Sequence, residues 1–159
     1  MKKFINILTM IMKYLLFFCL GGFIYYCVEL IYRGHSHPSM YIVGGLCFIL
    51  IGIINEVFSW KMFIELQIII GDLAVLLLEF ISGCIVNLWL GLNVWDYSSM
   101  PYNILGQVCL TFAFLWIPLV LFAILLDDWL RYRLLRENKP EYHSAIVRFI
   151  NWIKRKIVK

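Results

Sequence analysis

The sequence predicts an all-α polytopic membrane protein with four transmembrane helices and a C-terminal amphipathic helix at the membrane surface. Of its 159 residues, 63% are hydrophobic and only 15% are charged, whereas soluble domains are roughly 45–50% apolar and about 25% charged. Four apolar runs come close to or exceed the roughly 20 residues that cross a bilayer. A soluble chain of this composition would expose a large apolar surface to water, so lipid is its expected solvent.

The four predicted spans cover about residues 4–32, 41–59, 63–92 and 104–130, within one transmembrane domain of residues 1–135. The first span exceeds the length that the bilayer needs, so we expect its first turns to lie in the interface. Its apolar run is longer than that of a signal peptide and no small-x-small cleavage site follows, so we expect this helix to be retained. The short linker between the second and third spans makes these two helices antiparallel.

Basic residues lie mostly on one side of the predicted bundle. This side holds Lys2, Lys3, Lys61 and the Lys and Arg residues after residue 130, which are most of the 14 in the chain. The loops on the other side hold Arg33 alone. Cytoplasmic loops carry an excess of Lys and Arg, so we expect a multi-pass protein of the cell membrane with both termini in the cytoplasm. The basic tail lies beside a membrane exit, where anionic lipid is the nearest partner, and no nucleic-acid partner is predicted.

Residues 141–159 are predicted to form a basic amphipathic helix. Apolar residues recur there at helical spacing, and the basic side chains lie away from that stripe. These basic residues are Arg148, Lys154, Arg155 and Lys156. Such a helix lies in the headgroup plane of the inner leaflet, with its basic residues facing anionic lipid. Two roles stay open for it: an anchor that fixes the topology, and a docking helix for a partner.

Several acids fall inside the predicted spans, where an ionised side chain costs about 2.5–3.5 kcal/mol on insertion scales and usually marks a functional site. In span three, Glu65, Asp72 and Glu79 recur every seven residues, so they share one helix face. Glu79, Gly83 and Asn87 follow one another at intervals of four residues, so they lie on one face of the helix. This face combines an acid, a glycine at which another helix can approach closely, and an amide. The sequence therefore predicts a polar interior for the bundle.

The other spans add to this polar interior. Asn103, Gln107 and Thr111 form an i, i+4, i+8 row at the start of span four. Glycines lie on the same stripes of spans one and two as Glu29 and Glu56, and close helix approach at glycine predicts that these acids point into the bundle. Glu56 and Glu65 flank the short cytoplasmic turn, where water solvates an acid easily. We therefore do not place these two acids in the candidate site.

Depth along the spans gathers one set of polar residues in the outer half of the bundle. We expect them to converge into one pocket, in which the guanidinium of Arg33 bridges Glu29 and a second acid. The candidate ligand-binding or proton-site residues are Glu29, Arg33, His37, Glu79, Asn87, Asp96, Tyr97, Asn103 and Gln107. Three interpretations stay open: an ion-pair network that fixes packing, a ligand or proton site, and metal binding through His35 and His37 with Glu29.

Motifs of ATP-hydrolysing and other hydrolytic enzymes do not occur in the sequence. It contains no GxxxxGK[ST], GxSxG, HExxH or CxxC pattern, so the chain cannot hydrolyse ATP through a P-loop. The five cysteines all lie in apolar runs and are expected to be small apolar side chains. We therefore leave the catalytic residues unassigned and predict no cofactor or metal, and a role other than that of an enzyme is favoured, with energy from a partner or a gradient.

Two blocks of the sequence resemble the ABC-transporter type IV family of membrane proteins. The first block reads Glu29-x3-Arg33-Gly34-x-Ser36-His37-x2-Met40, and the second reads Val94-Trp95-Asp96-Tyr97-Ser98. The resemblance covers about residues 18–132. In the pattern of that family the position of His35 is usually another residue, so the resemblance favours His37 as the functional histidine and argues against the His-x-His metal site.

The resemblance implies a transport-related membrane component, a permease that works as an oligomer or with other subunits. A separate ATPase would then dock on Lys61 and the C-terminal helix, and homodimerisation would use the glycine faces of spans one and two. One alternative is a membrane-embedded enzyme acting on a lipid or isoprenoid, with Glu79 or Asp96 exchanging a proton and Arg33 with His37 holding an anionic headgroup. The second alternative is a membrane scaffold or sensor.

Overall fold

The computed structural model describes residues 2–58 and 62–157. Its elements follow one another in a simple order along the chain. They are α1 (Lys2–Arg33), α2 (Pro38–Val57), α3 (Ile64–Gly83), a π-helical segment (Cys84–Trp89), β1 (Asn103–Ile104), β2 (Val108–Cys109), α4 (Leu110–Leu134) and α5 (Ala145–Ile157). The two strands form only one short antiparallel hairpin, so the predicted all-α class is confirmed.

Three helical segments of the described chain are long and apolar enough to cross a membrane, whereas four were predicted. They are Ile7–Arg33, Ile64–Trp89 and Leu110–Leu134, with mean hydropathies of 2.0, 2.2 and 2.3. The second apolar helix falls short of this length over its fully described part, Pro38–Ile54. It begins at Pro38, before the predicted start at about residue 41, because proline is tolerated in the first turn, where a missing N–H costs nothing.

Span four starts later than the sequence predicted. Residues 103–109 form the β1–β2 hairpin, with Asn103 paired to Cys109, and α4 begins only at Leu110. Left-handed backbone at Tyr102, Leu105 and Gly106 (φ of 54°, 50° and 69°) is incompatible with a continuous helix here. The predicted helical row of Asn103, Gln107 and Thr111 is therefore wrong.

Helices α1 and α2 pack closely along their glycines. Helix α1 makes its most extensive contacts with α2, and a side chain added at Gly21, Gly44 or Gly45 would collide with the facing helix. Small residues allow such close backbone approach in membranes. The glycine faces proposed above for homodimerisation are therefore already used within the chain.

Antiparallel packing gathers distant parts of the chain at the two ends of the bundle. The core between them is formed by apolar side chains of α2, α3 and α4: Val43, Cys47, Ile51, Val75, Val120 and Ile124. We call the end that holds Arg33 and the segment between the π-helix and α4 the loop end. The opposite end, where α2 finishes and α4 leads into α5, is called the tail end.

Helix α5 is held against the start of α3. Ser144 donates a hydrogen bond from Oγ to Glu65 Oε1 (2.5 Å), and the amides of Ala145 and Ile146 donate to the same carboxylate (3.1 and 3.2 Å). The predicted tail helix thus begins at Ala145 rather than at residue 141. Glu65, expected to be a solvated acid, neutralises the positive end of the α5 dipole. Exposed apolar side chains on α5 include Phe149 and Trp152.

Candidate functional site

The last turn of α1 carries a buried ion pair. Arg33 Nη2 lies 3.4 Å from Glu29 Oε1, one helical turn earlier, and Glu29 is only 6% exposed. The helix ends at Arg33 and Gly34 adopts a left-handed conformation (φ 76°), which favours glycine. The chain then folds back so that Ser36 Oγ donates to Glu29 Oε2 (2.6 Å). The sequence block that carries Glu29 and Arg33 therefore closes on itself.

Arg33 also joins α1 to the segment that precedes the hairpin. Its guanidinium donates to the carbonyl oxygen of Val94 (3.3 Å) and to the hydroxyl oxygen of Tyr97 (3.4 Å). Two hydrogen-bond acceptors and the carboxylate of Glu29 thus surround one planar guanidinium, an arrangement that the compact ammonium of lysine does not reproduce.

Glu79 is the deepest acid of the loop end; it is 2% exposed and lies near the end of α3. Its two carboxylate oxygens accept hydrogen bonds from the Tyr97 hydroxyl (3.2 Å) and the Trp116 indole N–H (3.0 Å). The Tyr97 hydroxyl thus stands between Arg33 and Glu79. Burial raises the pKa of Tyr97 well above its usual value, and the neighbouring Glu79 carboxylate adds to this effect, so this hydroxyl keeps its proton. We call Glu29, Arg33, Tyr97, Glu79 and Trp116 the relay cluster.

Asn87 and Gln107 form a second buried network beside the relay cluster. Asn87 Nδ2 donates to Gln107 Oε1 (2.8 Å), while Asn87 Oδ1 accepts from the amide of Val94 (2.7 Å). The Trp95 indole donates to the Gln107 carbonyl (2.9 Å). Asn87 lies in the π-helical segment, and such segments often occur at functional sites. This network fixes the segment that supplies Val94 and Tyr97 to the relay cluster.

The remaining predicted site residues stabilise local turns. Asp96 accepts from the amide and hydroxyl of Ser98 (2.8 and 2.5 Å), and the hydrogen bond from that hydroxyl is the main reason why the pKa of Asp96 is lowered. Asn103 accepts from the amide of Gly106 (3.1 Å). His37 Nδ1 accepts from the amide of Ser39 (3.2 Å) and caps α2. The expected bridge from Arg33 to a second acid is made to Glu79 through Tyr97, and not to Asp96.

The two histidines of the alternative metal site contact neighbouring residues of their own loop. Within residues 2–58 and 62–157, no group of three or more His, Cys, Asp or Glu side chains is arranged to hold a metal ion. His35 Nδ1 lies 3.1 Å from the carbonyl oxygen of Arg33, and His37 is engaged with Ser39.

A cavity of about 180 Å³ opens beside the relay cluster, between α1 and α4. Its polar wall is formed by Glu29 and Arg33, and aromatic rings form much of the rest. Two ring pairs border it: Tyr97 stacks on Phe112 with centroids 4.4 Å apart, and Tyr25 stacks on Trp116 at 5.5 Å. The site therefore combines a largely apolar space with a few polar groups at one end, as small-molecule sites commonly do.

The tail end holds a second charged cluster, which the sequence analysis missed. Arg131 of α4 pairs with Asp127 (Nε to Oδ2, 2.5 Å) and with Glu56 of α2, and Lys13 of α1 lies 2.7 Å from Glu56 and 2.9 Å from Glu137. Asp127 and Arg131 are 1% and 3% exposed. Glu56 is therefore paired and not simply solvated, as the sequence suggested.

Two signals in the sequence could have indicated this tail-end cluster. Asp127 and Arg131 are four residues apart in an apolar span, which is the spacing of a helical ion pair. Lys13 interrupts span one at the same end of the bundle, and a lone charge inside a span needs a partner.

Comparison with known proteins identifies one family. The family model described as "Putative ABC-transporter type IV" matches residues 15–153, which includes the relay cluster, most of α5 and the residues of the tail-end cluster other than Lys13. No curated protein and no solved structure matches the chain.

Proposed function

The chain belongs to the "Putative ABC-transporter type IV" family, and we propose that it is a membrane subunit of a transport system that binds its ligand at the loop end. Its apolar helices and its family together make it a multi-pass membrane protein related to transport. The observation that supports a ligand site is the relay cluster itself, because it connects an ion pair on α1 to a buried acid on α3 along the wall of a cavity.

We propose further that α2 is a short fourth span. Its 20 residues extend about 30 Å at 1.5 Å per residue, which is close to the thickness of the hydrocarbon core. A fourth span returns the chain to the side on which it started. The bias of Lys and Arg then argues that the tail end faces the cytoplasm with both termini, and cysteine labelling at Ser99 and at the C-terminus tests this orientation.

An energy source has to come from outside this chain, because the sequence contains no P-loop. We propose that a separate ATPase docks at the tail end on α5, which Glu65 holds beside α3. Lys61, the other expected contact, lies outside the described residues. Oligomerisation of the chain remains part of the proposal, through surfaces other than the glycine faces of α1 and α2.

Binding at the loop end can be tested with purified full-length protein in a neutral detergent. The protein is incubated with a total polar lipid extract, and bound species are measured by native mass spectrometry. We expect Glu79→Gln to lose species that the wild type retains, while Asp72→Asn, a change in the same helix outside the relay cluster, keeps them. Equal retention by all three proteins would contradict a site at Glu79.

The second candidate is a membrane-embedded enzyme that acts on a lipid or isoprenoid. It is favoured by the position of Glu79, a buried carboxyl group hydrogen-bonded to Tyr97 and Trp116 close to an apolar cavity, which suits proton transfer. The same incubation distinguishes the two functions, since an enzyme would convert a lipid into a new species and a transport subunit would only bind it. A scaffold or sensor would do neither.

A further inference from the structure

We propose that the loop-end cavity binds an amphiphile with an amino head group, that is, an ammonium group on an apolar chain. This inference rests on the proposed ligand site and adds the chemical class of the ligand. Three features of the structure lead to it: a buried carboxylate oxygen that accepts no hydrogen bond, an aromatic lining, and a groove that continues from the cavity into the apolar part of the bundle.

The carboxylate oxygen belongs to Glu29. Glu29 lines the cavity and is 6% exposed, and its Oε1 accepts no hydrogen bond from any residue that the structure describes, although Arg33 lies 3.4 Å away. A buried acceptor without a donor is costly. An ammonium group carries three N–H donors and a positive charge, so it would satisfy this oxygen.

The balance of charge at the cavity also favours a cation. Glu29 and Arg33 are the charged residues that line the cavity, and Glu79 lies behind the lining residues Tyr97 and Trp116. Arg33 pairs with Glu29 and already donates hydrogen bonds to Val94 and Tyr97. An anionic head group would meet the carboxylate of Glu29 and a guanidinium that is already engaged. A cationic head group would meet an acid and no free basic group among the described residues that line the cavity.

Aromatic rings supply the second attraction for a cation. Tyr25, Tyr32, Tyr97, Phe112 and Trp116 all line the cavity. The faces of such rings attract ammonium groups, and aromatic cages of this type recognise quaternary ammonium ligands. The rings are also apolar, so they accept the first methylene groups of an attached chain.

The apolar chain of the ligand has a path into the bundle. A second cavity, of about 80 Å³, lies deeper between α1 and α4 and shares Tyr25, Val28, Trp116 and Leu119 with the first. The joined groove runs along α4 from Leu115 to Leu126, a distance of about 16 Å at 1.5 Å per residue. Its deeper walls are almost entirely apolar. A ligand with its head at Glu29 would therefore lay its chain along α4.

The test compares amphiphiles with the same chain and different head groups. Full-length protein in dodecyl maltoside, which has no charge, is titrated with dodecylammonium, dodecanol and dodecanoate, and the rise in Tm is followed by intrinsic fluorescence. A ligand that binds only the folded state raises Tm in a saturable way. We expect dodecylammonium to bind at least tenfold more tightly than dodecanol, and dodecanoate to bind more weakly still.

Three variants locate the effect. Glu29→Gln should weaken binding of dodecylammonium at least tenfold, and Leu119→Trp, which fills the shared part of the groove, should weaken all binding. Asp72→Asn should bind like the wild type. The Tm of each variant without ligand shows that it is folded. Lysophosphatidylethanolamine provides a second arm: tighter binding than dodecylammonium would identify a membrane lipid as the source of the amino group, and weaker binding would identify a free amine, and either result supports the ligand class.

Two results would overturn the inference in distinguishable ways. If dodecanoate or dodecanol binds as tightly as dodecylammonium and Leu119→Trp abolishes that binding, the ligand class is wrong while the proposed site stands. If no amphiphile raises the Tm of the wild-type protein, both the ligand class and the proposed site at the cavity are wrong.

Discussion

Replacing Tyr97 with Phe removes one hydroxyl group and leaves the ring in place. That hydroxyl donates to Glu79 Oε1 (3.2 Å) and accepts from Arg33 Nη2 (3.4 Å), so Tyr97→Phe breaks both connections between α3 and α1 in the relay cluster. The stacking of the ring on Phe112, with centroids 4.4 Å apart, requires no hydroxyl and should persist. The change therefore isolates the hydrogen bonds from the packing.

The expected loss of stability follows from what stays behind. Hydrogen bonds to charged groups contribute about 1.5–3 kcal/mol, and a buried group left without its partner costs about 1–3 kcal/mol. Glu79 is 2% exposed, and among the described residues its carboxylate retains the hydrogen bond from Trp116. Since the Arg33 contact is long, we expect the Glu79 bond to dominate and the free energy of unfolding to fall by about 2–3 kcal/mol.

The assay is reversible unfolding of the purified protein in mixed micelles, with Tyr102→Phe as the matched control. Tyr102 is 80% exposed, so removing its hydroxyl should change the free energy of unfolding by less than about 0.5 kcal/mol. A double-mutant cycle with Glu79→Gln should give a coupling energy of about 0.5–3 kcal/mol between positions 97 and 79. A loss no larger than that of Tyr102→Phe, or a coupling energy of zero, would refute the relay.

Three further predictions concern other contacts. Arg33→Lys should weaken ligand binding and lower Tm, because lysine has no planar fork to bridge several acceptors. Arg148→Lys on α5 should change neither ligand binding nor Tm, and ligand titration of both variants measures the difference. Arg131→Met should reduce the free energy of unfolding by about 3–5 kcal/mol, because it leaves the buried Asp127 uncompensated, and adding Asp127→Leu should recover part of that loss in the same unfolding assay. Glu65→Gln should speed amide hydrogen exchange in the first turn of α5 without altering exchange in α4, and unchanged exchange in that turn would mean that the cap does not hold the tail.

The two charged clusters lie at opposite ends of the same bundle, and the same helices contribute to both. Helix α1 carries Lys13 at the tail end and Arg33 at the loop end, and α4 carries Trp116 at the loop end and Arg131 at the tail end. A ligand at the loop end would therefore contact helices that also form the tail end, where the ATPase is proposed to dock. This arrangement suits the proposed transport role, because binding at one end can alter packing at the other through these helices.

Part of the candidate site could be predicted from the helical period alone. Glu79, Gly83 and Asn87 were placed on one face by their spacing of four, and all three are buried at the loop end. Glu29 and Arg33, also four apart, form the predicted ion pair. Asp72, seven residues before Glu79, shares the predicted face but lies off the buried stripe of α3, where Gln67, Gly71 and Val75 precede Glu79.

Other parts could not be predicted because they depend on turns and on distant partners. The hairpin of residues 103–109 needs left-handed backbone at Tyr102 and Leu105. Neither residue type favours this conformation, so the apolar run was predicted to be the start of a helix. Tyr97 meets Arg33 across 64 positions of sequence, and Arg131 meets Glu56 across 75. No local sequence pattern indicates contacts between residues so far apart in the chain.

The sequence by itself determined the solvent of this protein, its helical class and the stripes of small and acidic residues, because hydropathy and helical period are local properties of a chain in lipid. Only the tertiary structure decided which partners the polar groups find across helices and turns. It placed the Tyr97 hydroxyl between Arg33 and Glu79 and paired Arg131 of α4 with Glu56 of α2. The physical reason is that a partner on another helix or turn is set by how the helices rotate and pack.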